Sequence, residues 1–321
     1  NKKSYFSFGK NKIWKTILKY NHKKNNTMFI EQGIDEKNKF WKYLLGLLII
    51  AGATFLGQMP MLVAILFETA FKGKSYPTTD AELLHFFEPN LNLFLLLFSY
   101  VVALGGVYFV VRFLHHQTFK SIITGRKQID WKRVLFSFLL WSLFTVVSTL
   151  VTYYLNPSDF EINFQLVPFL ILLVIATLLI PIQTTVEELV FRGYLMQGFA
   201  NLAQNKWLPL LATSVIFGLL HLSNPEVSKL GNIIMVYYIG TGLLLAVMTL
   251  MDDGMELALG FHAANNLVGA LLITSDWSAF QTYSIFKDVS EPEAGFDIIF
   301  PVIVIYPLIL LIFGYKYKWS D

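Results

Sequence analysis

The chain has 321 residues, 55% of them hydrophobic, and no cysteine. Its mean hydropathy of +0.54 is too high for an ordinary soluble domain, which makes an integral membrane protein the starting point. Disulfides, thiolate metal sites and cysteine nucleophiles are excluded, and the net charge of +3 matters less than where the charges fall.

Residues 1–43 carry eleven lysines against Glu31, Asp35 and Glu36. They read as a basic cytoplasmic extension by the positive-inside rule. Within them Ile13, Trp14, Ile17 and Leu18 share a helical face flanked by Lys12, Lys15 and Lys19. That pattern suits an interfacial helix on an anionic leaflet, or simply a solvated tail able to dock a membrane-protein partner. No short apolar core followed by a cleavage-type site is seen in this region.

Residues 44–321 read as an all-α polytopic membrane helix bundle. A spanning helix needs roughly 20 largely apolar residues. Eight stretches qualify or nearly qualify: 44–67, 91–113, 134–155, 165–186 (running on toward Phe199), 207–222, 230–251, 255–274 and 298–315. The fifth is short and the seventh carries polar residues, as expected of helices facing a bundle interior. The 114–133 loop is basic, with Lys120, Arg126, Lys127, Lys132 and Arg133. The 156–164 loop has only Asp159 and Glu161, and the 275–297 loop has five acids against Lys287. Eight spans with both termini cytoplasmic satisfy this charge pattern, and a bacterial plasma membrane fits it. No nucleic-acid partner is expected.

Ionisable groups at membrane depth are costly, so those retained there are paired or functional. The fourth stretch ends in Glu187, Glu188 and Arg192. On a helix Glu188 and Arg192 stand at i and i+4 and can meet. Glu187 is about 100° round the helix, has no partner on it and faces elsewhere, toward neighbouring helices. A desolvated carboxylate without a counter-ion holds a proton more tightly than one in water. That suits a general base working near neutral pH. The plain alternative is an ion pair that only locks helices together.

Two later stretches add polar groups. His221 closes the fifth, and with a turn centred near Gln204 it lies as many residues from that turn as Glu187 does. An uninterrupted hairpin then puts both at one depth. His262 and Asn266 share a face of the seventh, where Gly260, Ala263, Ala264 and Gly269 permit close helix approach. Glu256 begins that helix and suits its N-terminal dipole. No H-E-x-x-H, G-x-S-x-G or glycine-rich phosphate loop occurs. The set suits activation of water.

Glu187-Glu188…Arg192, Phe217…His221 and His262…Asn266 together resemble the CPBP family of CAAX proteases and bacteriocin-processing enzymes, also called Abi. The matched core covers roughly 180–270. The resemblance implies an eight-helix membrane endopeptidase that cleaves a membrane-associated peptide or protein, prenylated or not. It implies that Glu187 activates water with help from His221. His262 and Asn266 would stabilise the oxyanion, with Glu188 and Arg192 as supports. A zinc ion on Glu187, His221 and His262 is the candidate cofactor, set against a metal-free route that asparagine, a poor zinc ligand, favours. The alternative function is a non-catalytic membrane scaffold or an immunity or partner subunit. A proton-relay transporter would also use buried carboxylates, but the chain shows no internal repeat.

Overall fold

A computed structural model describes residues 28–34 and 38–319. The amphipathic stretch around Trp14 lies outside them. In chain order the main elements begin with α1 (Phe40–Gly57), α2 (Met59–Lys72), α3 (Pro89–Phe109) and α4 (Trp131–Leu155). Next come β1 (Phe160–Ile162), α5 (Leu166–Glu188) and a π-helical turn (Leu189–Leu195) leading into α6 (Met196–Ala203). Then follow α7 (Trp207–Leu219), α8 (Ile234–Met251), α9 (Glu256–Leu272), β2 (Ile273–Thr274), β3 (Phe286–Asp288) and α10 (Tyr306–Tyr317).

The architecture is an all-α polytopic bundle. Among the described residues six helical runs are long and apolar enough to cross a membrane: Phe40–Lys72, Pro89–Leu114, Trp131–Leu155, Leu166–Ala203, Pro225–Met251 and Phe296–Tyr317. The other two expected spans, α7 and α9, are shorter, at 13 and 17 residues. At roughly 1.5 Å per residue they reach about 20 and 25 Å, less than a hydrocarbon core of about 30 Å. They still run between the same two ends, but only α9 is enclosed by the bundle; α7, expected to face the interior, turns Leu208, Leu211, Val215 and Leu219 outward and buries the opposite face.

Those ends are defined by contacts. At one, Arg126 and Arg133 of the basic loop hold Asp252 between α8 and α9. The Trp319 indole donates to the same carboxylate, and Phe29 N–H donates to Asp253 at 2.6 Å. At the other, the two acidic loops meet in a small sheet of order β1-β3-β2. β1 runs antiparallel to β3 and β2 parallel to it, with Glu161 opposite Lys287. These strands were not expected; at two or three residues each they are too short to show alternation. Residues 28–34 and 319 thus lie at one end, with an even number of traversals between them.

The helix pair α4–α9 makes the most extensive contact in the bundle. A side-chain carbon at Gly260 would sit 2.1 Å from the Val134 carbonyl, so only glycine allows this approach. Ser137 fastens it by donating to the Leu257 carbonyl at 2.7 Å. Gly269, expected to do likewise, has open space beside it.

The run Leu166–Ala203 stays α-helical through Pro181 and departs from α geometry only at Leu189–Leu195. Phe191, Leu195 and Met196 are buried. Phe191 packs on Phe217 beside the cavity, while residues 28–34 and the 119–125 loop cap the end of the run that follows. Phe29 and Ile30 are core residues, and Gln197 donates to the carbonyls of Phe29 and Ser121.

Candidate active site

Glu187 and Glu188 are neighbours in sequence but belong to different environments. Glu188 and Arg192 are both sealed, at 0% side-chain exposure, and bond at 2.9 Å across one turn. Arg192 also donates to the Gly242 carbonyl on α8 and lies 4.2 Å over the Phe217 ring. Glu187 keeps 15% exposure. It lines a cavity of about 730 Å³ together with His221 and Asn266. The turn carrying this cluster opens the π segment, a local geometry found often at functional positions.

Glu187 does have a partner on its own helix, contrary to the sequence expectation. Gln183, one turn earlier, donates to its Oε1 at 2.6 Å. The same i,i+4 rule that paired Glu188 with Arg192 reaches this amide. Tyr100 of α3 faces both Glu187 and Gln183. Neither residue stands out in the sequence; Gln183 is a lone amide in an apolar run.

His262 lies behind Glu187, outside the cavity lining, and is buried. Its Nδ1–H donates to Glu188 Oε1 at 2.7 Å, and its Nε2 stands 3.5 Å from Glu187 Oε2. His262 therefore bridges the two carboxylates. Asn266, one turn on, lines the cavity and donates to Gln183 Oε1 at 3.3 Å. His221 is just beyond α7. Its Nδ1 donates to the Phe217 carbonyl at 2.8 Å, leaving Nε2 as an acceptor in the neutral ring. It stacks on Tyr238 at 4.4 Å.

The depth of Glu187 and His262 can be compared along the chain. Gly193 touches Ile122 of the basic-end loop, so close that a side-chain carbon would stand 2.6 Å from the Ile122 carbonyl. Glu187 precedes it by six residues; His262 follows Glu256, at the same end, by six. Each is roughly 9 Å in from that end. Glu256 is clamped there by Arg126 at 3.0 Å and by the Asp130 N–H at 3.2 Å, in addition to its place at a helix start.

The zinc candidates do not assemble. Among the described residues no three His, Asp or Glu side chains gather about a common metal position. His262 has both ring nitrogens directed at carboxylates, and His221 has one on a backbone carbonyl. As arranged, the three residues do not form the tetrahedral set that zinc requires.

The family described as type II CAAX prenyl endopeptidase, Rce1-like, matches residues 163–268, the segment that carries Glu187, Glu188, Arg192, His221, His262 and Asn266. The uncharacterized protein YyaK of Bacillus subtilis (strain 168) is 32% identical over 248 residues, covering 77% of this chain and 82% of that protein. Comparison with solved structures gives no match. With the helical bundle and the motif-bearing helices in place, the chain belongs to the CPBP family, the CAAX-type intramembrane proteases.

Proposed function

We propose that this protein is an intramembrane endopeptidase that hydrolyses a peptide bond of a membrane-associated peptide or protein, with Glu187 activating the attacking water. One observation carries the reading: of the Glu187, Glu188 and Arg192 cluster, only Glu187 reaches the cavity. A water there donates one hydrogen to Glu187 and the other to Nε2 of His221, which also lines the cavity. As its oxygen bonds the scissile carbonyl carbon, the first proton passes to Glu187 and the carbonyl electron pair moves onto oxygen. Asn266 supplies a donor to that oxyanion, a contact worth about 3–4 kcal/mol in well-studied enzymes. The C–N bond then breaks, Glu187 returns the proton to the leaving amine, and a carboxylic acid remains. His262, held by Glu188, stands behind Glu187 with Nε2 3.5 Å from its Oε2. No step is assigned to a metal.

Both described ends lie at the basic face, which supports a cytoplasmic placement of the termini and of the site's nearer face. The test compares peptide termini in membranes from wild-type cells and from cells carrying Glu187→Gln. Fragments that vanish in the variant identify the substrate. Full cleavage by a folded Glu187→Gln protein overturns the assignment.

A further inference from the structure

Gln183, Asn266 and Asn265 stand in one unbroken run of hydrogen bonds that begins on a third helix. The Trp141 indole of α4 donates to Asn265 Oδ1 at 3.1 Å. Asn265 Nδ2 donates to Asn266 Oδ1 at 3.1 Å. Asn266 Nδ2 donates to Gln183 Oε1 at 3.3 Å, and Gln183 Nε2 donates to Glu187 Oε1 at 2.6 Å. Trp141 is buried and wedged between Phe144 and Phe261, with ring centroids 4.8 and 4.2 Å away.

The two ends of this run are chemically one-way. An indole N–H only donates and an ionised carboxylate only accepts. Each amide between them must therefore turn its oxygen toward Trp141 and its nitrogen toward Glu187. Reversing any one of them sets donor against donor on one side and acceptor against acceptor on the other. In a buried setting such mismatches are costly. A chain of aligned donors also polarises each member along it.

Resting on the reading of Glu187 as the base, we propose that Trp141, Asn265 and Gln183 are positioning residues that fix the rotamer and polarity of Glu187 and Asn266 together. The consequence falls on both halves of the chemistry. Glu187 is held by Oε1, while Oε2, with His262 Nε2 3.5 Å behind it, keeps its cavity side for the water. Asn266 is locked with its amide nitrogen in the cavity wall; one N–H goes to Gln183, and the second has no partner among the described residues. That second N–H is the oxyanion donor. The run thus couples base and oxyanion donor, which come from helices α5 and α9, to a single anchor on α4.

Two variants test this with little loss of shape. Trp141→Phe removes the N–H and keeps a ring between Phe144 and Phe261; Gln183→Met keeps the volume and removes both amide groups. Cleavage of a peptide found by the terminus comparison is followed in proteoliposomes. Each variant is expected to lower kcat about tenfold with KM unchanged, the scale of one lost orienting hydrogen bond. The thermal midpoint in detergent should hold for both. The double variant should be no slower than Gln183→Met alone, because one break already disconnects the run. A packing role would instead multiply the two effects. An independent readout needs no substrate: with indole-labelled tryptophan, the Trp141 N–H resonance should shift in Gln183→Met, three hydrogen bonds away. Unchanged kcat in Trp141→Phe, multiplying effects, or an unmoved Trp141 resonance overturns the proposal. Glu187→Gln serves as the control that separates the two readings. If it abolishes cleavage while Trp141→Phe is silent, only the positioning run fails; if it cleaves normally, the reading of the base fails.

Discussion

Helix α9 carries an ion cluster at each of two levels, and the two are built differently. At its start Glu256 and Asp252 are surrounded by donors. Arg126 reaches both, Arg133 and the Trp319 indole reach Asp252, and the Asp130 N–H reaches Glu256. All four of their carboxylate oxygens are engaged, and neither residue lines the cavity. Two turns further on, Glu187, Glu188, His262 and Arg192 share fewer donors. Glu188 Oε2 and Arg192 Nε are buried without partners, and Glu187 opens onto the cavity. The first cluster is a clamp whose bonding capacity is filled. The second leaves capacity for a reactant at Glu187 alone, since Glu188 and Arg192 are sealed, which is how a site differs from a strut made of the same residue types.

Three substitutions probe that contrast, beyond the loss of cleavage expected of Glu187→Gln. That loss is the largest effect, a hundredfold or more by the usual scale for a missing general base, with the thermal midpoint little changed. Arg126→Ala should do the reverse. It takes from buried Glu256 its one side-chain partner and from Asp252 one of three, at a cost of about 3–5 kcal/mol in unfolding free energy, while turnover per folded molecule persists. If Arg126→Ala silences cleavage without unfolding the protein, the clamp is part of the site and the contrast breaks. Gly193→Val pushes a side chain into the Ile122 carbonyl and should cost about 1–3 kcal/mol, read by thermal denaturation in detergent.

The smallest effect is a pH dependence of the clamp. Burial pushes the Asp252 carboxyl up to about 6, against the pull of Arg126 and Arg133. The ordinary value is about 3.9, so the folded protein binds this proton more tightly than the unfolded chain. The contribution to stability is complete at and below about pH 4 and is lost as pH rises through about 6. Thermal midpoints of wild type and Asp252→Asn, measured across pH 4–7, should therefore differ in slope only in that window. Parallel curves would show that Asp252 keeps its ordinary affinity for protons.

Much of this was legible from residue spacing. Glu188 and Arg192 at i,i+4 do bond, and the basic and acidic loops do collect at opposite ends of the bundle. What escaped notice was local and neutral. Gln183 obeys the same spacing rule as Arg192, but an amide carries no charge to draw attention in an apolar run. Trp141 looks like any other membrane-helix aromatic until its N–H is traced to Asn265. The fourth stretch was expected to run on as a span toward Phe199; over Leu195 and Met196 the chain supplies its own cover, from segments far away in sequence. Hairpin symmetry put His221 and Glu187 at one depth, and the structure lines one cavity with both; the position of His262 beside Glu187 follows only from three-dimensional packing.

The π turn between Glu188 and α6 has a consequence for how this helix is read along its length. A π turn holds about one residue more than an α turn, so it resets the angular phase of everything after it. Upstream, the phase aims Gln183 and Glu187 at the cavity; late in the turn and beyond it, Gly193 meets Ile122 and Gln197 meets Ser121 and Phe29. Removing one residue within Leu189–Leu195 would restore a regular helix and rotate α6 by about 100°, turning Gln197 from its two carbonyls. The extra residue works as an index mark: it lets a single rod satisfy two binding faces that a regular helix would hold out of step.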